Sequence, residues 1–278
     1  MGNSGDPADF SVSPVEGVQL RGEREGEGEP VLLLHGLSAT RRYVVQGSRL
    51  LARRGHRVLA YDARGHGASS PAPVRSAYEY ADLLADLRTV LDELGLDRVA
   101  LAGSSMGAAT ATAFALAEPD RVTALVAITP AYDGSPRADA GEWPLLADAL
   151  RAGDIDAFVA RSGVLEIPQR YREAAALAVR QRLERHEHLG AVADALRVVP
   201  HSRAFDGLDG LDELDVPVLI VGSRDDSDAE HPLAVAREYD RRLPRSQLVV
   251  EDEGQSPLAW RGAQLSRAID EFLADPPG

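Results

Sequence analysis

From Phe10 to Arg24 apolar and polar positions roughly alternate, the period of a strand pair with one wet face, and Gly26-Glu27-Gly28-Glu29-Pro30 then breaks the pattern. This predicts a short antiparallel hairpin closed by a turn. Val31-Leu32-Leu33-Leu34 has no alternation at all, which is the mark of a strand covered on both faces of a parallel sheet. Arg57–Tyr61, Val99–Ala102 and Val122–Ile128 read as further strands. Helical spacing is expected over Thr40–Arg54, over Tyr80–Leu94 with Gly95 as its stop, and from about Met106 to Ala117. Alternating strand and helix argues for right-handed βαβ units and a mostly parallel sheet with helices on both faces.

The alternation stops after Ile128. From Pro130 to about Asp212 the pattern is helical, with helices expected at Trp143–Arg151, Asp154–Arg161, Gln169–Arg185 and Leu189–Val198. The strand pattern returns at Val216–Val221 and Gln247–Val250, with helices at Pro232–Leu243 and Pro257–Leu273. The expected organisation is therefore an α/β core over residues 1–130, a helical cap over 131–213, and the rest of the core over 214–278. There is no internal repeat and no low-complexity tract.

With 278 residues the chain is long enough to bury a large core. Its net charge of −14 argues against nucleic acid or an anionic membrane as a partner. The absence of cysteine excludes disulfides, thiolate nucleophiles and cysteine-ligated metals. No apolar run approaches the ~20 residues of a membrane span, and no basic segment followed by an apolar run opens the chain as a secretory leader would. A cytoplasmic protein is expected, and a homo-oligomer is compatible with the sequence.

The chemistry concentrates in Gly103-Ser104-Ser105-Met106-Gly107, a G-x-S-x-G pattern placed where a strand should turn into a helix. Such a turn is so sharp that side chains at Gly103 and Gly107 would meet neighbouring backbone. It also forces Ser105 into a strained conformation that lifts its hydroxyl above the sheet. Acyl transfer needs two N–H groups aimed at the developing oxyanion. The amide of Met106 is placed to supply one and that of Leu37, after His35-Gly36, the other; His35 itself reads as a residue that holds its loop.

These motifs together resemble the α/β-hydrolase superfamily, in its capped group of esterases, lactonases, carbon–carbon-bond hydrolases and non-heme perhydrolases. Val31–Gly36 is similar to the family's strand followed by His-Gly. Asp62-Ala63-Arg64-Gly65-His66-Gly67-Ala68-Ser69 is similar to its D-x-R-G-x-G-x-S loop, which braces the site, and Pro217–Asp225 resembles the strand and loop that deliver the triad acid. The resemblance implies Asp225 as that acid, with Asp226 as a second candidate and Asp228 on the same acidic loop. It implies no cofactor and no metal, and a small apolar molecule as substrate.

The chain departs from the family at the base. Glu253-Gly254-Gln255-Ser256-Pro257 carries Gln255 where the family has a histidine, and a neutral amide cannot take a proton from serine. Loss of the histidine from a serine triad costs on the order of 10⁶ in turnover. Three readings stand side by side. Gln255 is a substitution in an otherwise ordinary hydrolase; or His231, the only histidine after Asp225, has become the base, at a helix start whose positive end favours the neutral imidazole a base must be; or no base is needed. The sequence-based reading is a serine-dependent hydrolase that acts on a small or medium apolar ester, lactone or related carbonyl compound through an acyl-enzyme. Its alternatives are a ligand-binding protein with a degenerate triad, or a non-hydrolytic lyase, cyclase or acyltransferase.

Other residues carry weaker signals. His186-Glu187-His188 places two histidines at i and i+2, on different faces of an expected helix, and reads as solvated surface. His201 is a candidate to line the pocket, and Trp143 and Phe158 are candidates for an apolar roof or for packing between cap helices. An epoxide hydrolase or haloalkane dehalogenase would need an aspartate where Ser105 stands.

Overall fold

The computed structural model describes residues 7–138, 141–224, 231–252 and 260–277. Strands β1 (Ala8–Val15), β2 (Val18–Glu25), β3 (Pro30–Leu34), β4 (Arg57–Tyr61), β5 (Val99–Ser104), β6 (Val122–Ile128), β7 (Val218–Gly222) and β8 (Ser246–Val250) form one sheet in the order β1-β2-β4-β3-β5-β6-β7-β8. β1, β2 and β4 pair antiparallel, and every pair from β4 through β3 to β8 is parallel. The expected hairpin, mostly parallel sheet and run of strands are all present.

The continuous apolar strands are explained by cover on both faces. Leu32 and Leu34 of β3 join one core layer, with Leu87, Val90 and Leu91 of α2 (Tyr80–Glu93), Phe114 of α3 (Met106–Ala117) and Tyr239 of α8 (Leu233–Arg242). Val31 and Leu33 point the other way, into a layer with Leu51 of α1 (Leu50–Arg53) and Leu265, Ile269 and Phe272 of α9 (Gly262–Ala274). α1 is far shorter than the helix expected over Thr40–Arg54. A 3₁₀ turn at Arg41–Tyr43 is followed by Gln46 and Gly47 at positive φ (47° and 70°), and this breaks the helix before it can propagate.

Between β6 and β7 lie α4 (Trp143–Arg151), α5 (Ile155–Arg161), α6 (Gln169–Leu183) and α7 (Leu189–Val198). Leu146, Leu150, Phe158, Leu183, Val192 and Leu196 give them an apolar cluster of their own. Phe158 is buried in this cluster and Trp143 packs against the cluster, so both fill the space between these helices. α7 also joins the core helix α3: Ala191 and Ala195 share a buried apolar cluster with Met106, Ala109 and Tyr132. No helix among the described residues is long and apolar enough to cross a membrane.

Parallel register brings the carboxyl ends of the strands into line. Leu34 lies beside Gly103, Ser104 beside Ile128, Ile128 beside Val221, and Gly222 beside Val250. Every loop that leaves this edge is therefore within reach of the others. The loop after β4 is fixed to α2 by a buried ion pair in which Arg64 Nε and Nη2 donate to the two oxygens of Asp86 at 2.7 and 2.6 Å. Asp86→Ala leaves that buried guanidinium with only the part-exposed Asp82, whose Oδ1 lies 3.1 Å from Arg64 Nη1. It should lower the unfolding free energy by about 3 kcal/mol in urea titration, the lower end of the cost of breaking a buried pair.

Candidate active site

Ser105 stands between β5 and α3 at φ 51°, ψ −109°. Two backbone bonds hold it there: Ser105 N–H donates to Ile128 O at 3.0 Å, and Ala109 N–H to Ser105 O at 3.0 Å. The glycines around it have no spare room. A Cβ on Gly103 would lie 2.1 Å from Gly107 O, and one on Gly107 2.2 Å from Leu34 O. A Cβ on Gly36 would lie 3.3 Å from both Ser104 O and Ser105 Cβ. Ser105 thus projects from a backbone that only glycines on either side permit, beside the loop that carries Leu37.

His231 Nε2 lies 2.8 Å from Ser105 Oγ. The imidazole arrives from the segment after β7, just before Pro232 and α8. Leu233 of α8 packs over Gly222, the last residue of β7, which leaves no space there for a side chain. Asp225, Asp226, Asp228 and Gln255 lie outside the described residues. Among the described residues, no protein acceptor engages the N–H of Leu37 or of Met106.

The loop of Leu37 is a four-residue turn. Ala39 N–H donates to Gly36 O at 3.0 Å, and Ser38 sits at φ 57°. His35 holds it from below: Nδ1–H donates to Gly36 O at 2.8 Å, and Nε2 accepts from Ala63 N–H at 2.9 Å. Its partners define a neutral tautomer, and burial with His66 alongside lowers its pKa to about 3. His66 is also buried and its pKa lowered by burial; Nδ1 bonds Arg64 O at 3.0 Å. Below them Asp62 accepts from Arg41 N–H at 2.7 Å and Ala68 N–H at 3.1 Å, and pairs with the Arg41 guanidinium.

The surface expected for His186 is overturned. α6 ends at Leu183, so helical spacing does not govern His186, which folds inward and is 8% exposed. Its Nδ1 accepts from Gly67 N–H at 2.9 Å and its Nε2–H donates to Ser38 O at 3.1 Å. The rings of His35, His66 and His186 form a row, with centroids 5.1 and 5.6 Å apart. Sequence spacing gave no signal for this; the contact spans 148 positions. His201 is exposed and bonded to Arg137 O at 3.0 Å.

A serine at positive φ between the central strand and helix of a parallel α/β sheet, with an imidazole on its hydroxyl, defines a hydrolase-type site. The α/β hydrolase fold family matches residues 29–261, and the chain belongs to it. It is 32% identical over 269 residues, 92% of each chain, to 2-hydroxy-6-oxononadienedioate/2-hydroxy-6-oxononatrienedioate hydrolase 2 of Pseudomonas putida. A thermophilic esterase from Thermogutta terrifontis superposes with a TM-score of 0.77 at 25% identity, over 97% of this chain and 98% of that one. The enol-lactonase of Burkholderia xenovorans LB400 shares the fold, with a TM-score of 0.76 at 22% identity over 95% and 100% of the two chains.

The buried histidines make stability depend on pH. His35 and His186 have folded pKa values near 3, below the ordinary 6.5, so the unfolded chain binds protons that the folded chain refuses. Their stabilising contribution is complete above pH 6.5 and is lost as the pH falls towards 3, at about 1.4 kcal/mol per pH unit for each histidine. Urea titrations at pH 7 and pH 5 should show this slope, and replacing His186 with asparagine should remove about one proton of it.

Proposed function

We propose that the protein is a cofactor-free serine hydrolase that acts on a small or medium apolar ester, lactone or related carbonyl compound through an acyl-enzyme, with His231 as its general base. The observation that carries this reading is the 2.8 Å contact between His231 Nε2 and Ser105 Oγ. That distance lies within the hydrogen-bond reach a base needs in order to take the serine proton as its oxygen attacks. The amides of Leu37 and Met106, which no acceptor among the described residues engages, are the donors for the tetrahedral oxyanion, and the positive end of α3 adds to them. The imidazolium formed on His231 then returns its proton to the leaving oxygen, and a water deprotonated by the same nitrogen releases the acid. Asp225 is the proposed partner that orients His231. The helices between β6 and β7 are the proposed roof of the pocket: α7 shares an apolar cluster with Met106, and Leu37 packs against both that cluster and the one these helices form among themselves. The esterase and the 2-hydroxy-6-oxononadienedioate hydrolase among the relatives fit a carbonyl substrate.

A fluorophosphonate probe should label Ser105 in the parent and not in Ser105→Ala. On short p-nitrophenyl esters His231→Ala should lose on the order of 10⁴–10⁶ in kcat, whereas Gln255→His should bring no large gain. Equal labelling and turnover in the parent and His231→Ala would remove His231 from the mechanism. A large gain in Gln255→His over a nearly inert parent would show that this chain lacks its base.

A further inference from the structure

We propose that His186 is a positioning residue for the oxyanion hole, acting on the Leu37 amide through two intervening peptide groups. The inference rests on the reading of Leu37 N–H as an oxyanion donor. His186 Nε2–H donates to Ser38 O. That carbonyl shares a planar peptide with Ala39 N–H, which donates to Gly36 O at 3.0 Å. Gly36 C=O in turn shares its plane with Leu37 N–H. The series therefore runs from imidazole N–H to carbonyl, from the next N–H to the next carbonyl, and ends on the N–H that the proposed function assigns to the oxyanion. In a trans peptide the N–H and C=O point in opposite directions, so the bonds to Gly36 O set the direction of Leu37 N–H. His35 Nδ1–H supplies one of them directly at 2.8 Å, and His186 holds the Ser38 peptide whose Ala39 N–H supplies the other. Each donated bond also polarises the next in the same sense, which makes the terminal N–H a better donor.

The imidazole is suited to this task. Gly67 N–H can only donate and Ser38 O can only accept, so Nδ1 is bare and Nε2 carries the hydrogen. Glu187 N–H donates to Gly67 O at 2.9 Å, which makes a second bond to the same residue and anchors the segment after α6 on the loop after β4. The arrangement also answers a local cost. Ser38 occupies a left-handed conformation that disfavours a side chain, and a directional bond to its carbonyl holds the turn in it.

Two half-mimics separate the ends of the imidazole. His186→Gln keeps an amide N–H near the Nε2 position, and His186→Asn keeps a carbonyl near the Nδ1 position. We expect His186→Asn to lower kcat on p-nitrophenyl esters about tenfold with KM little changed, a fraction of the 10²–10³ that deletion of an oxyanion donor costs. The Leu37 amide cross-peak in a ¹⁵N spectrum should move with it. His186→Gln should retain most of the kcat and the parental Leu37 cross-peak. Equal kcat losses in the two variants, or an unmoved Leu37 cross-peak in His186→Asn, would overturn the proposal. If neither variant folds, the parent decides. Phenylboronic acid, which forms a tetrahedral anion on a reactive serine, should shift the His186 Hε2 and Leu37 amide signals together, and a Leu37 shift without one at His186 overturns it. If Ser105→Ala keeps the parental kcat, the acyl-transfer reading fails, and the Leu37 cross-peak in the two variants still judges the positioning.

Discussion

Three stretches of main chain meet at van der Waals distance where β3 ends, β5 ends and α3 begins. The contact is possible because Gly103 and Gly107 have no side chains: a methyl on either would overlap a backbone carbonyl. From this close approach follows the conformation of Ser105, which must reverse the chain in one residue at φ 51°. A non-glycine residue held there costs of order 1–3 kcal/mol. The surroundings sustain it with bonds to Ile128 and Ala109, and with a helix whose first ten residues are all buried. The loops after β3, β4, β6 and β7 then have one place to converge, because the register of the sheet ends all their strands at the same level.

The site floor is built from neutral, buried histidines. An imidazole is the one side chain that offers a donor and an acceptor on opposite sides of a compact ring near neutral pH. His35 uses both to join the loop after β3 to that after β4, and His186 uses both to join the inserted segment to the same two loops. Burial keeps each neutral, which preserves the tautomer its partners require. The buried charges that anchor these loops are paired, Asp62 with Arg41 and Arg64 with Asp86, and Asp82 and Glu23 stand beside the two guanidinium groups. The outcome is a rigid frame around Ser105 in which direction is set by hydrogen bonds and formal charge stays at the base of the frame.

Periodicity and turn chemistry made the core legible. The strands at Arg57–Tyr61 and Val122–Ile128 and the helices at Trp143–Arg151 and Leu189–Val198 have the bounds their sequence pattern predicts, since each carries the period of its own buried face. Ser105 was legible because the elbow needs glycines at fixed offsets. The region over Thr40–Arg54 was only partly so: Gly47, at φ 70°, marks the break with a residue suited to it, whereas positive φ at Gln46 beside it carries no residue signal. His186 was hidden for a related reason. A helical pattern carried past Leu183 assigns it to a wet face, and only contacts 119 and 148 residues away turn it inward.

The same distinction bears on the base. Chemistry requires one imidazole nitrogen at the serine hydroxyl; it does not prescribe which loop brings it. β7 and β8 are parallel neighbours that end side by side, at Gly222 and Val250, so segments leaving either strand start one interstrand spacing apart, about 4.8 Å. That is within the reach of a histidine side chain plus a short loop. A base arriving from the β7 side must be carried towards Ser105 across the end of β6, and the start of α8 supplies the support: Leu233 seats on Gly222, and Pro232 fixes the backbone that follows His231. In the proposed mechanism His231 takes the role of base, and the position of Gln255 then needs no proton acceptor. On that proposal the departure from the family pattern at Gln255 and the 2.8 Å contact of His231 with Ser105 have one common explanation, a base delivered from the β7 side of the sheet.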